Sequence, residues 1–215
     1  MITFPLITPK LWYIKKYYGK TPIAILDIGS GNRSATYTKQ HLPNCTYYGL
    51  DMVRDYNYDE KDFGLMKDFY ELDLTKLNFD SIPDDFFDAI IMAHVLEHLP
   101  NGEDVLVGLT KKLKKGGVFY IEYPGKRSLS LPSMKGTLNF YDDPTHVRVY
   151  SHGDIAKLLV DNSLTIIKSG TRRSMLHIFA TPFKIIHYIL KKYPIQGSLF
   201  WDLTGFAEFV FAAKR

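Results

Sequence analysis

An α/β fold built on a mostly parallel seven-stranded sheet is what this sequence predicts, and three observations predict it. Short continuous apolar runs alternate with longer segments that read as helices, the pattern of strands covered on both faces. Most of those runs stop at a glycine or an acid. The 215 residues suit one domain with a sizeable core, and 46% hydrophobic against 23% charged residues is ordinary for a folded, soluble chain.

The elements follow in order. Residues 23–28 (IAILDI) form a first strand and run directly into Gly29, Ser30 and Gly31. Residues 47–50 form a second strand that stops at Asp51, and residues 69–72 a short third that stops at Asp73. Residues 87–93 (FDAIIMA) form a fourth, followed by the helix-like HVLEHL. Val105, Leu106, Leu109 and Leu113 have helical spacing across residues 105–115, with Gly116 and Gly117 placed as a C-cap. Residues 118–123 are a fifth strand, 151–162 a helix with a Ser or Asp cap, 164–168 a sixth strand and 205–213 a seventh.

Several function classes drop out. A single cysteine, Cys45, can make neither an intrachain disulfide nor a thiolate metal site, which points to a reducing cytoplasm. Pro5 and Pro9 interrupt the N-terminal apolar character, so no signal peptide is expected, and no run approaches the length of a membrane span. A net charge of +4 is too small to imply nucleic acid.

In parallel α/β sheets ligands bind beyond the carboxyl ends of the strands, where the strand order reverses. Gly29 and Gly31 permit a tight turn and a close ligand approach there, with Asp27 at the strand end. Ser34 stands where a dinucleotide fingerprint needs its third glycine, which counts against NAD. Asp51, about 20 residues on, is placed to accept both hydrogen bonds of a ribose diol. Met52 can lie on an adenine face or simply in the core. Asp73 can accept from an adenine amino group while the Leu74 amide donates to a ring nitrogen, with Asp68 and Glu71 as competitors for that acid. Each acid alone can equally be a cap or turn residue.

Together these segments resemble the class I S-adenosylmethionine-dependent methyltransferases. ILDIGSGN is similar to their glycine motif, Asp51 in YYGLDM to their ribose acid and ELDL at 71–74 to their adenine-side acid. FDAIIMAHVLEHL, LKKGGVFYIEYP and DPTHVRVYS resemble the ubiquinone-biosynthesis-like branch, and the likeness runs in order from about residue 23 to residue 170. It implies a Rossmann-like three-layer sandwich whose last strand is antiparallel. It also implies S-adenosyl-L-methionine as cofactor and S-adenosylhomocysteine as product, held by Asp27, Gly29, Ser30, Gly31, Asp51, Met52, Asp73, Leu74 and His94. One methyltransferase domain, 1–215, would comprise an N-terminal helical segment (1–22), a cofactor-binding core (23–170) and a helical elaboration (171–204) before the last strand.

Methyl transfer from a sulfonium chiefly requires alignment, and a hydroxyl acceptor also needs a general base, for which histidine is best poised near neutrality. His146, in the loop DDPTHVR, is the first candidate, and His94 after the fourth strand the second, with local hydrogen bonding or cofactor packing as its alternative role. His98 falls on the face of His94 if HVLEHL is helical. His94, Glu97 and His98 lack an obvious third ligand, so no metal is expected.

Residues 171–193 carry five Lys or Arg and no acid. Phe183, Ile186, Ile189, Leu190 and Tyr193 have helical spacing, with Pro182 suited to the helix start. Such a helix can pack its apolar side on the sheet as a lid, the more frequent outcome in a soluble enzyme, or make peripheral contact with an anionic membrane. Paired with LWYIKKYYGK near the N-terminus, it would flank the acceptor pocket. The fifteen Tyr and fourteen Phe fall largely outside the cofactor strands, which points to the acceptor side. The leading expectation is therefore methyl transfer, to oxygen, on a small-molecule, glycan or lipid-linked acceptor, in the cytoplasm or peripherally at the membrane. No nucleic-acid partner is expected. The alternatives are an RNA or protein methyltransferase and a catalytically silent cofactor-binding protein.

Overall fold

The computed structural model describes residues 6–31, 33–54 and 60–215. Residues 1–5, Asn32 of the glycine motif and residues 55–59 lie outside the described residues. The elements are α1 (Pro9–Tyr18), β1 (Ala24–Ile28), α2 (Ser34–His41), β2 (Thr46–Asp51), α3 (Glu60–Phe63), β3 (Asp68–Glu71), β4 (Phe87–Ala93), α4 (Gly102–Thr110) and β5 (Leu113–Pro124). They continue with α5 (His152–Asp161), β6 (Leu164–Thr171), α6 (Met175–Leu190), α7 (Trp201–Thr204) and β7 (Ala207–Lys214).

The sheet order is β3-β2-β1-β4-β5-β7-β6. The β1–β2, β2–β3, β1–β4 and β4–β5 pairs are parallel, and β7 runs antiparallel to β5 and β6. Helices cover both faces, so the strands need no polar side. Leu26, Ile90 and Phe119 enter a cluster with Leu106 and Leu109 of α4 and Ile155 of α5, whereas Ile25, Ile91 and Tyr120 enter one with Leu11 and Ile14 of α1. The order reverses between β1 and β4, and the crevice lies beyond their carboxyl ends.

Five expectations are corrected. HVLEHL is not an α-helix: His94 adopts φ +57°, and only Leu96–His98 close a 3₁₀ turn, so His94 and His98 do not share a helix face. Gly116 and Gly117 do not cap a helix, because α4 stops at Thr110 and both glycines lie inside β5. They serve an irregularity there: Gly116 has φ +78°, the β4–β5 register shifts between Phe87 and Ala89, and a Cβ on Gly117 would come within 2.9 Å of the Lys114 carbonyl. Pro182 is inside α6 and does not start it; the start is set by Ser174, whose hydroxyl accepts from the His177 N–H. The apolar side of α6 is not packed on the sheet, since Phe183, Ile189 and Leu190 are 66%, 63% and 76% exposed. Finally, part of the aromatic excess is core. Tyr13 of α1 stacks against Tyr120, Phe209 and Phe211, with ring centroids 5.2–6.1 Å apart.

Candidate functional site

At the end of β1 the chain must turn sharply to enter α2. Gly29 does so at φ +72°, and the N–H groups of Gly29 and Ser30 both donate to the Leu50 carbonyl (2.8 and 3.2 Å), which ties the loop to the end of β2. A Cβ on Gly29 would sit 2.5 Å from Cγ2 of Val95, so the position tolerates no side chain. Beneath the loop Asp27 is buried and accepts hydrogen bonds from the hydroxyls of Tyr47 (2.8 Å) and Ser34 (2.7 Å), with Lys10 Nζ at 3.9 Å. Ser30 is fully buried, and the Gly31 carbonyl accepts from the Ser34 N–H.

Asp51 is the last residue of β2 and pairs in register with Glu71, the last of β3. Its Oδ1 accepts the Met52 N–H at 2.7 Å, and Met52 is 62% exposed beside it, which leaves an apolar surface next to the carboxylate. Asp73 lies two residues past the end of β3. Its Oδ1 accepts from the hydroxyl and the N–H of Thr75 (2.7 and 3.0 Å), bonds that lower its pKa from the ordinary value. The Leu74 side chain is in the core. A glycine turn, a carboxylate at the end of the neighbouring strand and an exposed thioether beside the β1/β4 crevice fit a nucleoside that carries a thioether or sulfonium arm.

Across the crevice His94 bridges two carboxylates, with Nδ1 3.2 Å from Oε1 of Glu97 and Nε2 3.1 Å from Oε1 of Glu122. Burial alone would lower its pKa, but the bonds to Glu122 and Glu97 raise it to about 9, so the ring is an imidazolium at neutral pH. Glu122 is buried in β5, a position that would raise its pKa; Arg172 and His94 instead hold it well below the usual carboxylate range. Arg172 donates to Glu122 at 2.6 Å and to Asp202 at 2.7 Å, and the Tyr120 hydroxyl donates to Glu122 at 2.5 Å. Trp201 of α7 covers His94 at 4.5 Å between ring centroids and stacks on Phe206. This arrangement holds an imidazole edge in a fixed, charged state at the end of β4.

His146 lies in a loop pinned to the same strand end, since the Val147 and Arg148 N–H groups donate to the Glu97 carbonyl (2.9 and 3.3 Å). The loop is further stapled by Asp143, which accepts from the Thr145 N–H and hydroxyl, and by Asp142, which accepts from the N–H groups of Met134, Leu138 and Asn139. Nδ1 of His146 donates to the Phe140 carbonyl at 2.7 Å, and its side chain is only 4% exposed. His98 packs against it, ring centroids 4.9 Å apart.

The strand ends thus bring Gly29, Gly31, Asp51 and His94 to one edge of the sheet, with His146 joined to it through Glu97. Sequence reasoning missed Glu122, Arg172, Asp202 and Trp201. An acid inside the apolar run VFYIEY was a readable signal for Glu122, because a buried carboxylate demands a partner.

Comparisons agree with this geometry. Residues 8–169 match a family model described as a methyltransferase domain. An S-adenosylmethionine-dependent methyltransferase from Mesorhizobium loti superposes with a TM-score of 0.63 at 16% identity, covering 96% of each chain. A 1,6-didemethyltoxoflavin-N1-methyltransferase from Burkholderia thailandensis, solved with its substrate and S-adenosylhomocysteine, gives 0.62 at 15% identity over 96% of this chain and 76% of that one. An S-adenosylmethionine-dependent methyltransferase from Archaeoglobus fulgidus gives 0.57 at 19% identity, covering 95% and 91%. A search of curated proteins finds no match. The chain belongs to the methyltransferase-domain family and is a class I S-adenosylmethionine-dependent methyltransferase.

Proposed function

We propose that this enzyme moves the methyl group in line onto an oxygen of a small-molecule, glycan or lipid-linked acceptor. The cofactor, when bound, supplies an electrophilic methyl carbon, and the protein's task is to hold the acceptor opposite it. Asp51 takes the ribose, Met52 the adenine face, and the Gly29–Ser30–Gly31 turn the amino-acid arm. Asp27 acts from beneath by fixing that turn. Asp73 gives one oxygen to Thr75 and offers its second, 4.0 Å from Lys76 Nζ, to the adenine side, where Leu74 offers only its backbone.

The observation that carries the oxygen reading is the contrast between the two catalytic candidates. His94 is already protonated and works as a positioning residue, holding the end of β4 in its left-handed turn. His146, when neutral, keeps its Nε2 lone pair because Nδ1 donates to Phe140, so it is the imidazole that can act on a hydroxyl. Labelled-methyl transfer in extracts, followed by His146→Ala, tests this. A fall of about 10²-fold or more in kcat with cofactor affinity retained supports the assignment, and an unchanged rate rejects it.

A second observation favours an amphiphilic acceptor or its membrane. Among the described residues no helix is long and apolar enough to cross a bilayer. α6 nevertheless exposes Met175, Phe179, Phe183, Ile186 and Ile189, and the exposed Lys191 and Lys192 follow its end, while Arg172 is committed to Glu122 and Asp202. That charge suits an anionic lipid surface, with the apolar side chains reaching the acyl boundary. Co-sedimentation with phosphatidylglycerol vesicles should be lost in Phe183→Glu with Ile189→Glu; unaltered binding by that variant rejects the contact.

A further inference from the structure

We infer that Glu97, His98 and His146 form a binding site for a divalent first-row transition-metal cation, with zinc, cobalt or manganese the chemistry that fits. The chain brings these residues together from two places, the 3₁₀ turn after β4 and the 143–148 loop. One donor atom from each lies within 4.8 Å of the others.

The donor states follow from the hydrogen bonds. His146 Nδ1 faces a carbonyl, Phe140 O at 2.7 Å, and must carry the proton, which leaves Nε2 with a lone pair on the neutral ring. His98 Nδ1 faces the Thr145 carbonyl at 3.3 Å and the Thr145 hydroxyl at 2.9 Å. That hydroxyl gives its own proton to Asp143 Oδ1 at 2.5 Å and can only accept from the ring, so His98 likewise presents a lone pair at Nε2. A carbonyl or hydroxyl fixing one ring nitrogen is the outer-shell arrangement of metal-bound histidine, and Nε2 of His146 faces the carboxylates of Glu97 and Asp143, each 3.9 Å away.

Glu97 supplies the independent observation. Its side chain is 1% exposed; Oε1 serves His94 and lies 3.9 Å from His146 Nε2, but Oε2 is buried without a hydrogen-bond partner. A buried carboxylate oxygen left unpaired is costly, and a cation held by the Glu97 carboxylate and the two imidazoles would lower that cost. Donors sharing an ion tetrahedrally at about 2.1 Å lie about 3.4 Å apart, so binding requires the widest pair to close by up to about 1.4 Å. Two imidazoles and one carboxylate favour transition metals over magnesium or calcium, which prefer oxygen. Three protein ligands also leave positions open to an acceptor oxygen; with the cation bound, His146 Nε2 is a ligand and not a base, and lowering the acceptor hydroxyl's pKa passes to the cation. That consequence rests on the methyl-transfer reading, whereas the cation site does not.

The test uses the full chain, stripped with chelator and free of cofactor and acceptor, titrated calorimetrically with Zn²⁺, Mn²⁺ and Mg²⁺ and followed by visible absorption with Co²⁺. One equivalent of Zn²⁺ or Co²⁺ should bind, with Mg²⁺ at least tenfold weaker. Binding should weaken at least tenfold in His98→Ala, whose part-exposed ring can be removed without unfolding the chain, and in Glu97→Gln. His152→Ala, a histidine elsewhere on the surface, should leave it unchanged. Absence of stoichiometric binding, equal weakening by His152→Ala, or tighter binding of Mg²⁺ than of Zn²⁺ would overturn the site. Loss of cation binding with S-adenosylhomocysteine binding intact would leave the methyltransferase reading standing, and the converse would leave this one.

Discussion

The strands flanking the β1/β4 crevice and helix α6 are both rich in apolar residues, and the fold treats them in opposite ways. Ile25, Leu26, Ile90, Ile91 and Met92 have no exposed surface, because helices of the same chain cover the sheet on both sides. α6 runs for sixteen residues and buries only Thr181. An apolar pattern reports that a surface is suited to being covered, without saying what covers it. At the crevice the cover is the chain itself, and the result is a rigid frame for charged groups; at α6 it is left to whatever meets the protein there.

Substitutions can break this contrast. The largest effect is expected inside the frame: Arg172→Met removes the guanidinium from between two buried carboxylates, leaving Glu122 to His94 and Tyr120 and Asp202 to the Ser174 N–H, and should cost about 3–5 kcal/mol in denaturant unfolding. Ile90→Ala, in the strand beside it, should cost about 2–5 kcal/mol. The same truncation on α6, Phe183→Ala, should stay within about 0.5 kcal/mol, since the ring is already in water. A similar loss at both places would erase the distinction.

A pH series sharpens it on the frame side. The His94 pKa is raised to about 9 in the folded chain, so its stabilisation is fully present below its unfolded value near 6.5 and is lost as pH rises through 9. Glu122 has the opposite sign: its folded pKa is depressed, so its contribution is present above the unfolded value near 4.3 and is lost as pH falls. Stability should therefore be greatest between about pH 5 and 6.5 and decline by on the order of 3 kcal/mol toward pH 9.5. His94→Asn, which keeps a residue tolerant of the left-handed backbone, should flatten the alkaline decline. An equally steep alkaline limb in that variant would show that another group is responsible.

The frame was more legible than the elaboration for physical reasons. A strand followed by glycines, or by an acid, is a local signal; Gly29, Asp51 and the run 87–93 carry it within a few residues of themselves. The His94 network is not local. Glu122 and Arg172 are fifty residues apart in sequence, and only the β5–β7–β6 pairing brings them within 2.6 Å. HVLEHL has helical spacing, but the left-handed His94 breaks it, held by two carboxylates of which one is on a different strand. Pro182 suggested a helix start because proline is favoured there, yet the Ser174 cap begins α6 seven residues earlier. The exposure of α6 had no sequence signal at all, since an amphipathic pattern is the same whether the apolar side is covered or open.

The proposed cofactor site uses the groups at the carboxyl ends of β1 and β2. Calorimetric titration of the purified chain with S-adenosylhomocysteine, repeated on Asp51→Ala, tests that most directly. Saturable one-to-one binding, weakened at least tenfold by the substitution, is the expected result. No binding, or affinity unchanged in Asp51→Ala, would contradict it.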